Sequence, residues 1–283
     1  MVEYSIGGLR DMFLGNVRCL KEILKYAKIS SDVAEIDASN LVHKEVNDLM
    51  RYCALQGVRR IVLKGVRGQR YIGTRLHFPN PGAKLKIEIE IYGYPGNDLG
   101  AFLDGHRIVV HGNAQDGVGN TMDSGEIIIH GRAGDVVAMS MRGGRIFIRD
   151  DVGYRTAIHM KEYRDKVPVL VVGGTAQDFF GEYMAGGRVV LLGLNLGDKP
   201  HRARYIGTGM HGGIMYIRGR VEPWQLGKEV GIVDMEAEDW KFIEKHVGDF
   251  CEIFGIKKDE VLGGSFLKLK PVTKRPYGKV YAY

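Results

Sequence analysis

One short pattern recurs through the middle of this chain at a near-constant step, and that step limits what the chain can fold into. Its copies include RIVVHGNAQDGVGNTMDSG from Arg107, EIIIHGRAGDVVAMSMRGG from Glu126, and RVVLLG from Arg188, preceded by FGEYMAGG. Each has an apolar run, a glycine, a polar turn, and a small residue three positions before a Met or Leu. The residues closing the apolar runs align as Gly65, Gly93, Gly112, Gly131, Asp150, Gly173, Gly193 and Gly219. A second landmark gives Leu76, Leu103, Met122, Met141, Met160, Met184 and Met210. From Gly93 to Asp150, and from Leu103 to Met160, every step is 19 residues. A period near 20 with strand-like runs is the mark of stacked coils, each unable to bury its apolar face alone. Later steps lengthen to 20–26 residues, which places surface insertions at 160–168 and 195–204.

Strand alternation assigns the faces. Counting back from the strand-closing residue, Ile91, Val110, Ile129, Ile148, Val171, Leu191 and Ile217 form one inward column. Ile89, Ile108, Ile127, Ile146, Val169, Val189 and Met215 form another, and the Met/Leu landmark joins the same core. Between them lies an outward column: Glu90, Val109, Ile128, Phe147, Leu170, Val190 and Tyr216. All but the first are apolar on a face that water should meet, so something covers it. Val109, Ile128, Phe147, Leu170, Val190 and Tyr216 are therefore the candidate partner-docking face, the other cover being the chain's own C-terminal segment.

The flanks read differently. Phe13, Val17, Leu20, Ile23 and Leu24 fall at helical spacing over 11–27, with Asp11 as cap. A strand follows over 35–39, and Asn40 caps a second helix over 43–56 that turns Val46, Leu49, Met50 and Cys53 inward before Gly57. Residues 1–56 thus make an α/β cap that plugs an open strand edge, and residues 57–220 make the solenoid. Residues 221–283 pack on it as an amphipathic helix over 236–255, a strand over 266–269 and a basic aromatic tail from Lys274. The fold expected is mainly β: one single-stranded parallel β-helix of about eight coils.

Forty glycines among 283 residues is about twice the usual share, without a collagen period. At fixed offsets they signal recurring turns. The net charge of +6 comes with no Lys/Arg run and no interleaved aromatic patch, so nucleic acid is not the partner indicated. Cys19, Cys53 and Cys251 are far apart and make neither a thiolate metal site nor a disulfide framework. No window approaches 18 apolar residues and the N-terminus lacks the apolar core of a signal peptide, so a cytoplasmic protein is expected.

No residue is assigned to catalysis, cofactor binding or metal binding. Gly207–Gly212 fits G-x-G-x-x-G, but a strand follows it where a dinucleotide site needs a helix. His111 and His130 occupy equivalent outward positions one coil apart, and Arg149 continues their row, which argues against a metal. Asp98, Asp116, Asp135, Asp150, Asp151 and Asp178 cluster at turns, where side chains commonly bond the local backbone. A stand-alone enzyme on acidic polysaccharide, with Asp116 or Asp135 as its carboxylate, is the reading they leave open.

The segments GNDLGAFL (96–103), AQDGVGNTMDSGEIIIHG (114–131), GEYMAGGRVVLLG (181–193) and GTGMHGG (207–213) carry a resemblance. Over roughly 57–220 the chain resembles the GXGXG domain at the C-terminus of the glutamate synthase large (alpha) subunit. The resemblance implies a right-handed β-helix in a free-standing form, serving glutamate biosynthesis and nitrogen metabolism as a scaffold. It implies as partners a glutaminase amidotransferase, an FMN synthase subunit and a ferredoxin-like subunit, with FMN and iron–sulfur clusters on those partners. More distantly the repeat resembles the C subunit of formylmethanofuran dehydrogenase, and split subunits of this kind also serve N-methylglutamate synthesis.

Overall fold

The computed structural model describes residues 17–74, 76 and 86–272. Twelve strands make one sheet, in the order β1-β2-β3-β4-β5-β6-β7-β8-β9-β10-β12-β11. They are β1 (Ala27–Ser30), β2 (Val33–Asp37), β3 (Arg60–Arg67), β4 (Glu88–Tyr94), β5 (Arg107–Val110) and β6 (Glu126–Ile129). The rest are β7 (Arg145–Ile148), β8 (Val169–Val172), β9 (Ala185–Leu191), β10 (Gly212–Arg218), β11 (Val230–Val233) and β12 (Phe266–Pro271). Among the described residues four α-helices accompany them: α1 (Leu20–Ile23), α2 (His43–Leu55), α3 (Ala237–Phe254) and α4 (Lys258–Leu262). The chain is mainly β, and its sheet is mostly parallel. From β2 to β10 each strand pairs with the next in parallel, as stacked coils require. Among these strands the antiparallel pairs lie at the margins, β1 with β2 and β12 with both β10 and β11. The architecture is that of a β-helix-like stack.

Side chains one coil apart sit in register. Ile108, Ile127 and Ile146 pair in turn, as do Val110, Ile129 and Ile148, and all are fully buried. The Met122, Met141, Met160 and Met184 column is fully buried as well. Burying each such side chain contributes about 1.5–3 kcal/mol before entropy is counted.

The turn before each Met is built unusually. In the hexads ending at Leu103, Met122, Met141, Met160, Met184 and Met210, the first, third and fifth residues have positive φ. The third is Gly100, Gly119, Ala138, Ala157, Gly181 or Gly207. It points into the core: a Cβ on Gly100 would lie 2.6 Å from Ile127 Cδ1, and one on Gly181 would lie 2.7 Å from Met215 Sδ. The first and fifth face outward and include Asp98, Phe102, Thr121, Val136, Ser140, Arg155, His159, Phe179, Tyr183 and Tyr205, all left-handed.

One coil departs from the sequence alignment. β8 pairs Ile146 with Leu170, Phe147 with Val171 and Ile148 with Val172. Leu170 and Val172 therefore enter the core, while Val169 and Val171 face outward. The corner equivalent to Gly131 is Gly174, not Gly173. A Cβ on Gly173 would lie 2.6 Å from Phe250 Cζ, so the glycine makes room for α3.

The flanks also differ in detail. α2 starts after Val42, whose N–H donates to Glu45 Oε2 at 3.0 Å; Asn40 is not the cap, and its carbonyl accepts from Arg18 instead. The inward set Val46, Leu49, Met50 and Cys53 is buried. Of the expected first helix, α1 is the α-helical part among the described residues, and a 3₁₀ turn (Leu24–Tyr26) and the start of β1 take its last positions, 24–27. Its proposed cap Asp11, Phe13 and the tail from Lys274 lie outside the described residues. β11 has no counterpart in the sequence reading.

Candidate functional site

The outward column is Val109, Ile128, Phe147, Val171, Val190 and Tyr216, each at most 6% exposed. Its cover is the chain's own helix. α3 turns Ile243, Val247, Phe250 and Cys251 onto the column, with Phe266 of β12 and Val261 of α4 completing the cluster. Val109, Ile128, Phe147, Val190 and Tyr216, expected as a face open to a partner, are instead buried beneath α3, and none keeps more than 6% exposure. Leu170 leaves the column altogether for the register reason above.

Two polar devices fix the helix. At the strand starts Glu88, Arg107, Glu126 and Arg145 stack in register as alternating charges. Arg107 donates to Glu88 at 2.7 Å and to Glu126 at 2.9 Å; Arg145 donates to Glu126 at 2.6 Å and to Asp249 of α3 at 2.7 Å. Burial opposes charge on Arg107, but the two carboxylates hold its pKa above the ordinary value. Near the helix start, Tyr216 Oη donates to Asp239 Oδ1 at 2.7 Å and Lys268 Nζ donates to Asp239 Oδ2 at 2.6 Å. Burial alone would raise the Asp239 pKa, and these two donors bring it below the usual carboxylate range. Asp239 also accepts the Glu236 N–H, which caps α3. The alternation of Glu and Arg at 19-residue steps was visible in the sequence, and nothing in the sequence reading used it.

The strand ends carry a ring ladder. Tyr92 stacks on His111 at 4.3 Å, His111 on His130 at 5.5 Å, and Phe254 of α3 meets His130 edge-on at 5.2 Å. Burial, then the neighbouring His111, Arg149 and Arg107, depress the His130 pKa. Among the described residues no group of three or more His, Cys, Asp or Glu side chains could hold a metal.

The turn carboxylates serve the backbone. Asp116 Oδ1 accepts the Asp135 N–H at 2.9 Å, and Asp135 Oδ1 accepts the Tyr154 N–H at 2.9 Å one coil on. Asp151 likewise accepts from Thr175 at 2.7 Å and Asp178 from Arg204 at 2.9 Å. Gly207–Gly212 runs directly into β10, so it opens no helix.

The exposed side of the turns is aromatic. Phe179 stacks on Tyr205 at 5.0 Å with the Arg155 guanidinium 5.4 Å from the Phe179 ring, and His159 stacks on Tyr183 at 5.5 Å. Phe102, Tyr154, Tyr183 and Tyr205 are all exposed. Among the described residues no helix is long and apolar enough to cross a membrane.

The positive-φ residues of the hexads fall at alternate positions and so read as G-x-G-x-G when all are glycine. Gly117 and Gly119 fill the first two of these positions in one coil, and Gly207 and Gly209 the last two in another. The uncharacterized protein MJ1350 of Methanocaldococcus jannaschii is 48% identical over 256 residues, covering 87% of this chain and 95% of that protein. The GXGXG motif family matches residues 40–271, nearly all of the strand stack, and the chain belongs to that family.

Proposed function

We propose that this chain is a non-catalytic scaffold subunit of a glutamate synthase-type oxidoreductase complex. In this reading it is a right-handed β-helix of about eight coils, closed at one end by the segment before residue 57. It holds a glutaminase module, an FMN- and iron–sulfur-bearing synthase module and a ferredoxin-like subunit in register, in the cytoplasm, and carries no cofactor itself. The observation that carries the reading is the span of the family match, 40–271, which coincides with the stack and not with an appended loop or pocket. The turn carboxylates support it further. Asp116 and Asp135 are committed to backbone N–H groups of the next coil, where a polysaccharide lyase or hydrolase would need them free.

With the apolar column covered by α3, the surface offered to partner modules is the aromatic turn corner. Tyrosine is enriched in interface cores because it combines large apolar area with a polar tip. Affinity capture of the tagged full chain from cells that express glutaminase and FMN-synthase polypeptides should retain both. The double variant Tyr183→Asn and Tyr205→Asn, which keeps residue types tolerant of left-handed backbone, should lower their recovery at least tenfold without shifting Tm. Failure of the unaltered chain to retain either polypeptide would reject the complex, and an unchanged recovery with the double variant would reject the corner.

A further inference from the structure

The stack is left open at its last strand. β11 pairs with β12 on one side and, among the described residues, has no strand on the other. Antiparallel pairing directs a strand's polar backbone groups alternately to its two sides. The Val272 N–H donates to the Glu229 carbonyl at 2.8 Å, so Glu229, Gly231 and Val233 face β12, and Val230 and Ile232 turn their groups to the open edge. The Val230 N–H is held by the Gly227 carbonyl at 3.2 Å. The Val230 carbonyl and both backbone groups of Ile232 are what the edge offers.

The side chains of this edge are apolar as well. One inward column runs from Val189 through Met215 and Leu269 to Ile232. The first three are fully buried and Ile232 is 52% exposed, a rung of the core left half outside it. An open apolar edge is a template for another strand, and proteins ordinarily blunt one with a charge or a proline. At the other margin of the sheet β1 carries Lys28, whereas Val230–Val233 holds neither charge nor proline.

We propose that β11 pairs antiparallel with β11 of a second copy of this chain, about a twofold axis at Gly231. Outward groups must meet outward groups, which allows only registers with the axis on a residue rather than between two. With the axis at Gly231, the Ile232 N–H donates to the Val230 carbonyl of the second copy, twice by symmetry. Ile232 then lies against Val230, and the inward column continues across the junction. Lys228 comes opposite Asp234; both are exposed, and neither enters an ion pair among the described residues. Gly231 meets its own copy at a non-hydrogen-bonded position, where Cα atoms approach to about 4.5 Å and glycine adds no bulk. An axis at Ile232 would instead set Asp234 against Val230, and one at Val230 would set Lys228 against Ile232, a charge on the core's end in either case. The contact is isologous and closes at two copies.

Sedimentation of the full-length chain at tens of micromolar should give a particle of twice 31.5 kDa. Ile232→Pro removes an N–H that β12 does not use, so it should return a monomer with an unchanged far-ultraviolet circular dichroism spectrum. Lys228→Glu and Asp234→Lys should each raise the dimer dissociation constant at least fivefold, because each sets like charges together twice. The double variant restores opposite charges across the axis and should recover the original constant to within twofold. A role for either residue within one copy gives no such recovery. A monomeric unaltered chain would overturn the proposal and leave the edge to residues 273–283 or to another protein. So would oligomers beyond two, which pairing of β11 with β1 of the next copy would build, or a dimer indifferent to Ile232→Pro and to both charge reversals.

Discussion

At the scale of single residues, the hexad turns ask for a backbone that most side chains resist. Val136 sits at φ 50° with a branched Cβ, and for an L-residue that conformation costs roughly 1–2 kcal/mol. Replacing it with glycine removes that penalty while adding about 0.5–1 kcal/mol of chain freedom to lose on folding. Val136→Gly should therefore raise stability by about 0.5–1 kcal/mol, read as a higher denaturation midpoint in urea at unchanged slope. A lowered midpoint would show that the Val136 side chain earns more by packing than its backbone loses. The same turns mark the limit of what the residues reveal by eye. The small residue three positions before each Met was evident in the sequence, and the structure gives its cause in the inward Cβ direction and the facing Ile Cδ1 atoms. The alternation of φ signs was hidden, because Phe102, Thr121, Val136 and Tyr183 occupy positions where glycine would have announced it.

At the scale of elements, α3 is held by a buried histidine as well as by its ion pairs. His246 lies against Phe242 at 4.3 Å and is 7% exposed, with Nδ1 unpartnered among the described residues. Burial is the chief cause that depresses its pKa to about 4, with Lys245, Arg145 and Arg188 lowering it further and Asp249 opposing them. The folded value lies below the unfolded value of about 6.5, so protons favour the unfolded chain. The stability is full above pH 6.5 and drains away as pH falls toward 4, by on the order of 3 kcal/mol. His246→Phe should flatten the Tm profile across that window, and an unchanged slope in the variant would refute the burial argument.

The same helix shows why part of the outer face was legible and part was not. Val109, Ile128 and Phe147 follow from strand alternation and an even 19-residue step, and Val190 and Tyr216 from alternation counted back from Gly193 and Gly219. Leu170 does not, because the insertion before β8 breaks the step and the pair Gly173–Gly174 offers two equal ways to resume it. Burial pattern gives no help there, since all four residues of β8 are buried. The pairing of β8 with β7 and the position of Phe250 over Gly173 distinguish the two registers.

At the scale of the whole molecule, a stack of coils is ordinarily a one-dimensional object. Each repeat touches its neighbours, stability sums along the row, and unfolding spreads from either end. In this chain α3 lies across that row. Its apolar face joins one cluster that runs from Val109 in β5 to Tyr216 in β10, and Asp249 joins it to the charge ladder that reaches back to Glu88 in β4. Coils that never touch are thereby tied through a common brace. Melting should follow one transition, with calorimetric and van't Hoff enthalpies in agreement, whereas a row with independent ends gives a ratio well above one. The brace turns a sum into a product: no coil in its span can open unless all of them do.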